Sequence, residues 1–184
     1  MCFDVSAACS GFITALDIAA SMLKAGSYKY ALVIGSEKMS EIVNWKDRSV
    51  CVLFGDGAGA VVLKAVDNNT EDVTGALVGH ERGIIDSNIY NDGTGASVLT
   101  GGRRFSDSCS TDIFIHMDGQ EVFKFAVKSV PTAIETLLHN NNMDVNDVDK
   151  FILHQANVRI IESVAKRLKA DKDKFPVNLN EYGN

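Results

Sequence analysis

The sequence lacks the cysteine patterns of a metal site or a disulfide-stabilised secreted domain. Its four cysteines form no CxxC pair, and the histidine nearest to any of them is His116, near Cys109. A zinc site and a disulfide framework are therefore not expected. A reducing, cytoplasmic compartment is the natural prediction.

Basic residues and long apolar runs are also scarce. The chain has 18 Lys and Arg against 24 Asp and Glu, and its net charge is −6, which disfavours nucleic-acid binding through bulk charge. No apolar run is long enough to span a bilayer, and no signal peptide opens the 184-residue chain, so a membrane protein is not expected. The remaining composition, 46% hydrophobic and 23% charged, is that of a globular domain with a sizeable core.

The first third of the chain alternates between strand and helix patterns. Residues through Ala7 are expected to end a buried strand, and apolar spacing predicts a helix from Ser10 to Ala25 that Gly26 ends. The continuous apolar run Tyr30–Gly35 predicts a strand buried on both faces. Residues 50–66 read as an apolar stretch, a glycine turn and a strand. This alternation predicts an α/β layered domain.

The rest of the chain repeats the pattern loosely. Residues 67–111 are rich in Gly, Asn, Asp and Ser and are expected to form mainly loops. A helical pattern begins at Gln120, and Pro131 is expected to kink or split that helix. Residues 150–156 predict a further buried strand, after which Asn157 is expected to cap a helix that runs to Lys169.

Cys9 stands out because only small residues flank it, in the stretch DVSAACSGF (4–12). A sulfur at the N-terminus of a helix is favoured as the thiolate, the nucleophilic form. The alternative is a small buried hydrophobic residue, the usual role of a cysteine without a partner. The other cysteines have no comparable setting, and we expect that structural role for Cys2, Cys51 and Cys109.

His154 and Asn184 are weaker candidates on their own. His154 ends an apolar stretch and precedes a helix, a place where loops at a sheet edge build sites. It is equally compatible with a core histidine whose ring bonds a backbone carbonyl. Asn184 follows Tyr182 and Gly183 in a turn-like setting and by itself indicates no function.

A glycine motif, FGDGAGA (54–60), is similar to a nucleotide-binding loop. A dinucleotide fingerprint requires a helix after the glycines, whereas here an apolar strand pattern follows. We therefore interpret Gly55, Gly57 and Gly59 as a tight turn with close backbone packing.

Five segments together resemble the β-ketoacyl-acyl carrier protein synthase III family, thiolase-fold enzymes that start type II fatty acid synthesis. They are DVSAACSGF, FGDGAGAVVL, DGQEVFKFAV, HQANVRII and NLNEYGN, in the family's order. The resemblance implies a thiolase-like layered αβαβα fold, incomplete at both ends. Residues 1–66 would be the C-terminal part of the first thiolase-like half, and residues 67–184 most of the second.

The family's catalytic cysteine, histidine and asparagine fall on Cys9, His154 and Asn184. The resemblance implies that Cys9 takes the acyl group from an acyl-CoA, and that malonyl-acyl carrier protein then loses CO₂ and condenses with it. His154 and Asn184 would donate hydrogen bonds to the enolate oxygen. No metal or redox cofactor is required.

The resemblance also implies contacts with substrates and partners. Arg48 would stack on the adenine of CoA, and Phe123 and Asn157 would line the pantetheine tunnel. Arg159 and Lys166, seven residues apart on one helix face, would dock the acidic acyl carrier protein. The family forms homodimers.

Two other functions stay open at this point. A Cys-His-Asn hydrolase would cleave amides or thioesters without malonyl-acyl carrier protein, and an inactive remnant would keep only part of the fold. Because the family's enzymes are considerably longer, we expect incomplete sheets with exposed edges. We also expect Asn184 to lie on a fraying terminus.

Overall fold

The structure is a computed structural model that describes residues 1–66, 83–101 and 113–184. These residues belong to two compact units. The first comprises Met1–Ser36 and Ala58–Ile89, and the second Glu37–Gly57 and Tyr90–Asn184. Cys109 and most of the predicted loop region between residues 67 and 111 lie outside the described residues.

Helix α1, Gly11–Lys24, dominates the first unit and confirms the predicted helix. Ala20 and Leu23 form its buried side. The chain leaves the helix at Gly26, whose φ of 74° is one that glycine adopts readily. A hydrogen bond between the Ser87 hydroxyl and the Asp17 carboxylate joins α1 to the segment that begins at Gly83.

Strands β1, Tyr30–Glu37, and β2, Gly57–Lys64, are hydrogen-bonded neighbours. The Ala65 N–H donates to the Lys29 carbonyl at 2.9 Å, so the end of β2 lies beside the start of β1 and the strands are antiparallel. Val33 is buried, and a Cβ on Gly35 would lie 3.2 Å from the Phe12 ring. This face of β1 therefore packs against the opening of α1.

The opposite face of β1 is open, and the predicted burial of both faces is wrong. Tyr30, Leu32 and Ile34 have exposed fractions of 61%, 62% and 59%. Side chains alternate between the two faces of a strand, and α1 covers only the Val33 face.

Two predicted strands, one ending at Ala7 and one at residues 150–156, are not strands in the structure. Both stretches have the apolar residues that strands favour, but a strand also needs a neighbour to complete its backbone hydrogen bonds. In the second stretch Phe151 donates its N–H to the Lys174 carbonyl at 2.8 Å, and the surrounding residues form no ladder within the described part of the chain.

The second unit contains a short ladder and its helices. Strands β3, Leu99–Thr100, and β4, His116–Met117, are antiparallel, with Leu99 opposite Met117. Helix α2, Gly119–Asn140, is followed by α3, Val158–Leu168, and α4, Leu179–Tyr182.

Helix α2 passes through Pro131 as one helix, so the predicted split is wrong. Pro131 is fully buried, and α2 packs against α3. Proline removes a backbone hydrogen bond, and the packing of the surrounding turns offsets that loss.

The core of the second unit is built on α3. Its buried residues are Ile160, Ile161, Val164, Ala165 and Leu168. They pack with Phe151 and Phe175, whose rings stack with centroids 4.8 Å apart. The helical spacing of Val158, Ile161, Ala165 and Leu168 predicts one inward face; the structure buries Ile161, Ala165 and Leu168 and leaves Val158 half-buried.

Lys174 stabilises the turn that follows α2 by hydrogen bonds from its side chain. Its ammonium donates to the carbonyls of Val145, Asn146 and Val148 at 3.3, 3.0 and 2.7 Å. An ammonium has three protons to donate, so one side chain satisfies three carbonyls of this turn.

Within the described ranges, no helix has the length and apolarity to cross a membrane.

Candidate active site

Cys9 lies in a single 3₁₀ turn, Ala8–Ser10, that leads directly into α1. Its side chain is exposed. The Ser10 hydroxyl and N–H both donate to the Ala7 carbonyl, at 2.8 and 3.1 Å, which closes the turn. The structure thus presents the thiol at the N-terminal end of a 14-residue helix, as the sequence predicts.

The backbone at Ala8, just before the thiol, is strained. Ala8 has a φ of 46°, in the left-handed region that residues with a Cβ rarely occupy. Such strain costs about 1–3 kcal/mol and is found mostly at functional sites. It turns the chain sharply immediately before Cys9.

His154 belongs to the second unit and lies three residues after buried Phe151, in a stretch that is neither helix nor strand. Its side chain reaches solvent, yet the surrounding protein removes part of its hydration. This desolvation lowers the pKa of the imidazole below its ordinary value of 6.5. At neutral pH the ring is therefore neutral, with one N–H to donate and one nitrogen lone pair.

We expect an NMR titration of the His154 ring to give a midpoint below 6.5, because burial penalises the charged form. The unfolded chain then binds a proton that the folded unit resists. Stability should accordingly fall as the pH drops from about 6.5 to the folded pKa, and not above that window. A midpoint at or above 6.5 would contradict this environment for His154.

Gln155, next to His154, holds the segment that leads towards Asn184. Its side-chain NH₂ group donates to the carbonyls of Leu153 and Pro176 at 3.1 and 3.2 Å, and its side-chain oxygen accepts from the Asn178 N–H at 3.0 Å. Both ends of one amide are therefore bonded. The sequence patterns do not single out Gln155, whose only signal is its place between His154 and Asn157.

Asn184 is fixed by the backbone of residues 53–55. Its N–H donates to the Leu53 carbonyl at 3.1 Å, and its carbonyl oxygen accepts from the Gly55 N–H at 2.6 Å. The residue is half-buried. The expectation that Asn184 frays is wrong, because two hydrogen bonds join its backbone to residues 53–55.

The three glycines of the motif at residues 54–60 differ in how closely other atoms surround them. A Cβ on Gly55 would lie 2.6 Å from the Tyr182 carbonyl oxygen, whereas a Cβ on Gly57 or Gly59 would meet nothing within 4 Å. Gly57 and Gly59 belong to β2. The interpretation of all three glycines as a closely packed turn is therefore correct for Gly55 alone.

Three of the residues predicted to contact substrate or carrier protein line one open groove of about 470 Å³. This Phe123 groove is bounded by Gly119, Gln120, Phe123, Lys124, Asn157 and Arg159. Asn157 also caps α3, since its side-chain oxygen accepts from the Arg159 N–H at 2.8 Å. The predicted cap is confirmed, and it fixes Asn157 at the rim of the groove.

Lys166 and Arg48 lie outside this groove. Lys166 is exposed on α3, two turns after Arg159, which is also exposed. Arg48 is exposed beside Asp47. Asp47 lines a second groove of about 650 Å³ with residues 97–98 and 116–120, and hydrogen bonds from Ser49 lower the pKa of its carboxyl group.

The site residues are thus distributed over both units. Cys9 belongs to the first unit, and His154, Asn184 and the Phe123 groove belong to the second. Within the second unit, Gln155 and the backbone of residues 53–55 hold the segment that ends in Asn184. The roles of these residues stay predictions from the resemblance.

Solved structures of condensing enzymes share this fold. The 3-oxoacyl-[acyl-carrier-protein] synthase III of Aquifex aeolicus superposes with a TM-score of 0.83 at 43% identity, over 99% of this chain and 53% of that one. The Thermus thermophilus enzyme gives a TM-score of 0.85 at 34% identity, over 99% and 54%. The fold is therefore of the thiolase-like α/β class, as the sequence predicts.

Family models and a curated relative identify the particular family. A model described as 3-oxoacyl-[acyl-carrier-protein (ACP)] synthase III matches residues 3–81, and the model of that synthase's C terminal matches residues 138–184. The β-ketoacyl-[acyl-carrier-protein] synthase III of Clostridium acetobutylicum is 43% identical over 189 residues, covering 100% of this chain. The chain belongs to the 3-oxoacyl-[acyl-carrier-protein] synthase III family, and it spans about half the length of the curated relatives it matches.

Proposed function

We propose that this protein is an acyltransferase that condenses an acyl-CoA with malonyl-acyl carrier protein, with decarboxylation, to begin fatty acid synthesis. The observation that most supports the proposal is the setting of Cys9. The thiol is exposed at the turn that opens α1, within the stretch that the family model matches.

In the first step the Cys9 thiolate attacks the thioester carbonyl of the acyl-CoA. A new carbon–sulfur bond forms to Cys9, the bond to the CoA sulfur breaks, and CoA leaves as a thiol after taking up a proton. Acetyl-CoA is the donor that we propose. We refer to this step as loading.

In the second step the malonyl thioester loses CO₂, and the electron pair of the broken carbon–carbon bond forms an enolate. His154 and Asn184 stabilise the enolate oxygen by donating hydrogen bonds. The carbanion attacks the acyl group on Cys9, and the carbon–sulfur bond breaks to release the β-ketoacyl product and the thiolate. Neither step requires a metal or a redox cofactor.

The second unit supports the proposed binding of the pantetheine arm and its carrier. The Phe123 groove combines an aromatic ring with the Asn157 amide and the Arg159 guanidinium, a mixture suited to an apolar arm with amide groups and a phosphate. Exposed Arg159 and Lys166 would attract an acidic carrier protein, and Arg48 would stack on adenine. From the resemblance we also propose a homodimer in the cytoplasm.

The test is to incubate the protein with acetyl-CoA and measure its intact mass and its peptide masses. We expect a gain of one acetyl group on the peptide that contains Cys9, and no gain in Cys9→Ser. Cys51→Ser is the matched control and should load like the wild type. Acetylation at a different cysteine, or none at all, would defeat the proposal, and the second outcome would favour an inactive remnant.

The runner-up function is a hydrolase that uses the same three residue types. It would release the acyl group to water from an acyl-CoA alone. The condensing enzyme instead holds the acyl group until malonyl-acyl carrier protein is added. Steady release of free acid without the malonyl substrate would select the hydrolase.

A further inference from the structure

We infer that Gly55 is a positioning residue for Asn184, and this role rests on the proposed function. The glycine motif at residues 54–60 binds no nucleotide in our interpretation, and the reaction steps above do not use it. The structure nevertheless joins its first glycine to the backbone of Asn184.

The first observation is the pair of hydrogen bonds to Asn184. The Leu53 carbonyl accepts from the Asn184 N–H at 3.1 Å, and the Gly55 N–H donates to the Asn184 carbonyl at 2.6 Å. Both bonds run to the same stretch, residues 53–55, and together they fix the position of the Asn184 backbone and hence the origin of its side chain. The backbone of residues 53–55 thus holds the backbone of Asn184 in place.

The second observation is the lack of space at Gly55. Its missing Cβ would lie 2.6 Å from the Tyr182 carbonyl oxygen and 3.7 Å from the Gly183 Cα. Both atoms are backbone, so neither can rotate away as a side chain would. Gly183 in turn has a φ of 73°, and a Cβ there would lie 3.5 Å from the Gly55 nitrogen. The backbones of Gly55 and Gly183 therefore lie in close contact next to Asn184.

The consequence is geometric. Any side chain at position 55 must push the backbone of residues 182–184 away from residues 53–55 and stretch the bonds that hold Asn184. A shift of about 1 Å in a positioned group can lower a reaction rate about 100-fold. Only the step that uses Asn184 should suffer, because loading of Cys9 does not involve this residue.

The experiment compares Gly55→Ala with Gly57→Ala, a matched control from the same motif where an added Cβ meets nothing within 4 Å. Three quantities are measured in each variant: hydrogen exchange at the residue-184 amide by NMR, loading of Cys9 by acetyl-CoA, and CO₂ release from malonyl-acyl carrier protein. In Gly55→Ala we expect exchange to accelerate about tenfold or more and CO₂ release to fall about 100-fold. Loading should stay at the wild-type rate, and Gly57→Ala should match the wild type in all three.

Unchanged exchange at residue 184 in Gly55→Ala would overturn the inference, and so would unchanged CO₂ release in an active enzyme. Loss of loading together with CO₂ release would also overturn it, since a residue that holds only Asn184 leaves loading intact. Failure of the proposed function has a different signature, because the wild type would then neither load nor release CO₂. Exchange at residue 184 would still decide whether Gly55 holds Asn184.

Discussion

Asn184→Ala is expected to lower CO₂ release from malonyl-acyl carrier protein by about 100- to 1,000-fold, the typical effect of removing one donor to a developing oxyanion. Loading of Cys9 by acetyl-CoA should remain at the wild-type rate. The reason is that in the proposed reaction negative charge builds up on the malonyl thioester oxygen only in the second step, where the Asn184 amide would donate. His154→Ala should show the same division between the steps.

Separate assays of the two steps check this prediction, with loading followed by mass spectrometry and decarboxylation by release of labelled CO₂. Asn180→Ala is the matched control, because Asn180 is an exposed amide in α4 close to Asn184 in sequence. It should change neither rate. If Asn184→Ala or His154→Ala stopped loading as strongly as decarboxylation, the residue would act on Cys9 itself, as in a hydrolase, and the proposed division would be wrong.

Phe175→Ala is expected to lower the free energy of unfolding by about 3–5 kcal/mol, the usual cost of truncating a buried aromatic residue. Phe175 is buried and stacks on Phe151 at 4.8 Å. Both rings pack into the core built on α3. The loss would remove a large part of the 5–15 kcal/mol that stabilises a typical domain.

Urea denaturation followed by circular dichroism measures this loss. Phe125→Ala is the control, since Phe125 is 54% exposed, and its truncation should change the stability by about 0.5 kcal/mol or less. The truncation should also disturb the candidate site, because Phe151 lies shortly before His154 in the sequence. Phe175 lies shortly before the segment that Gln155 binds. A loss below about 1 kcal/mol would mean that the core can close over the missing ring.

The helices could be predicted well from the sequence because their signals are local. The apolar spacing of α1 and α3, the Asn157 cap and the Gly26 ending all involve residues within a few positions of each other. Pro131 was the exception, since its tolerance depends on burial against elements distant in sequence.

The strand predictions failed where pairing decides the outcome. Residues 1–7 and 150–156 have strand-like composition, yet neither has a partner ladder in the described structure. The burial of β1 on both faces failed for the same reason, because it depends on what else packs there. Strand formation is a property of pairs, and one segment's composition cannot specify its neighbour.

The sequence supplies candidate residues for the site but not the contacts that hold them. Cys9 could be selected from its small neighbours and its place before a helix, and the resemblance added His154 and Asn184. The parts played by Gly55 and Gln155 could not be predicted, because Gly55 meets residue 184, which is 129 positions further along the chain. Gln155 likewise meets Pro176 and Asn178 through space.

The cap on α3 determines which chemical group Asn157 presents to the Phe123 groove. Its side-chain oxygen accepts from the Arg159 N–H, while its NH₂ group has two protons that it can donate to a bound molecule. We therefore expect the groove to favour an acceptor such as a carbonyl at this point. Asn157→Ala would remove both the helix cap and the amide at the groove. Asn157→Asp would keep the cap and replace the NH₂ donor with an acceptor.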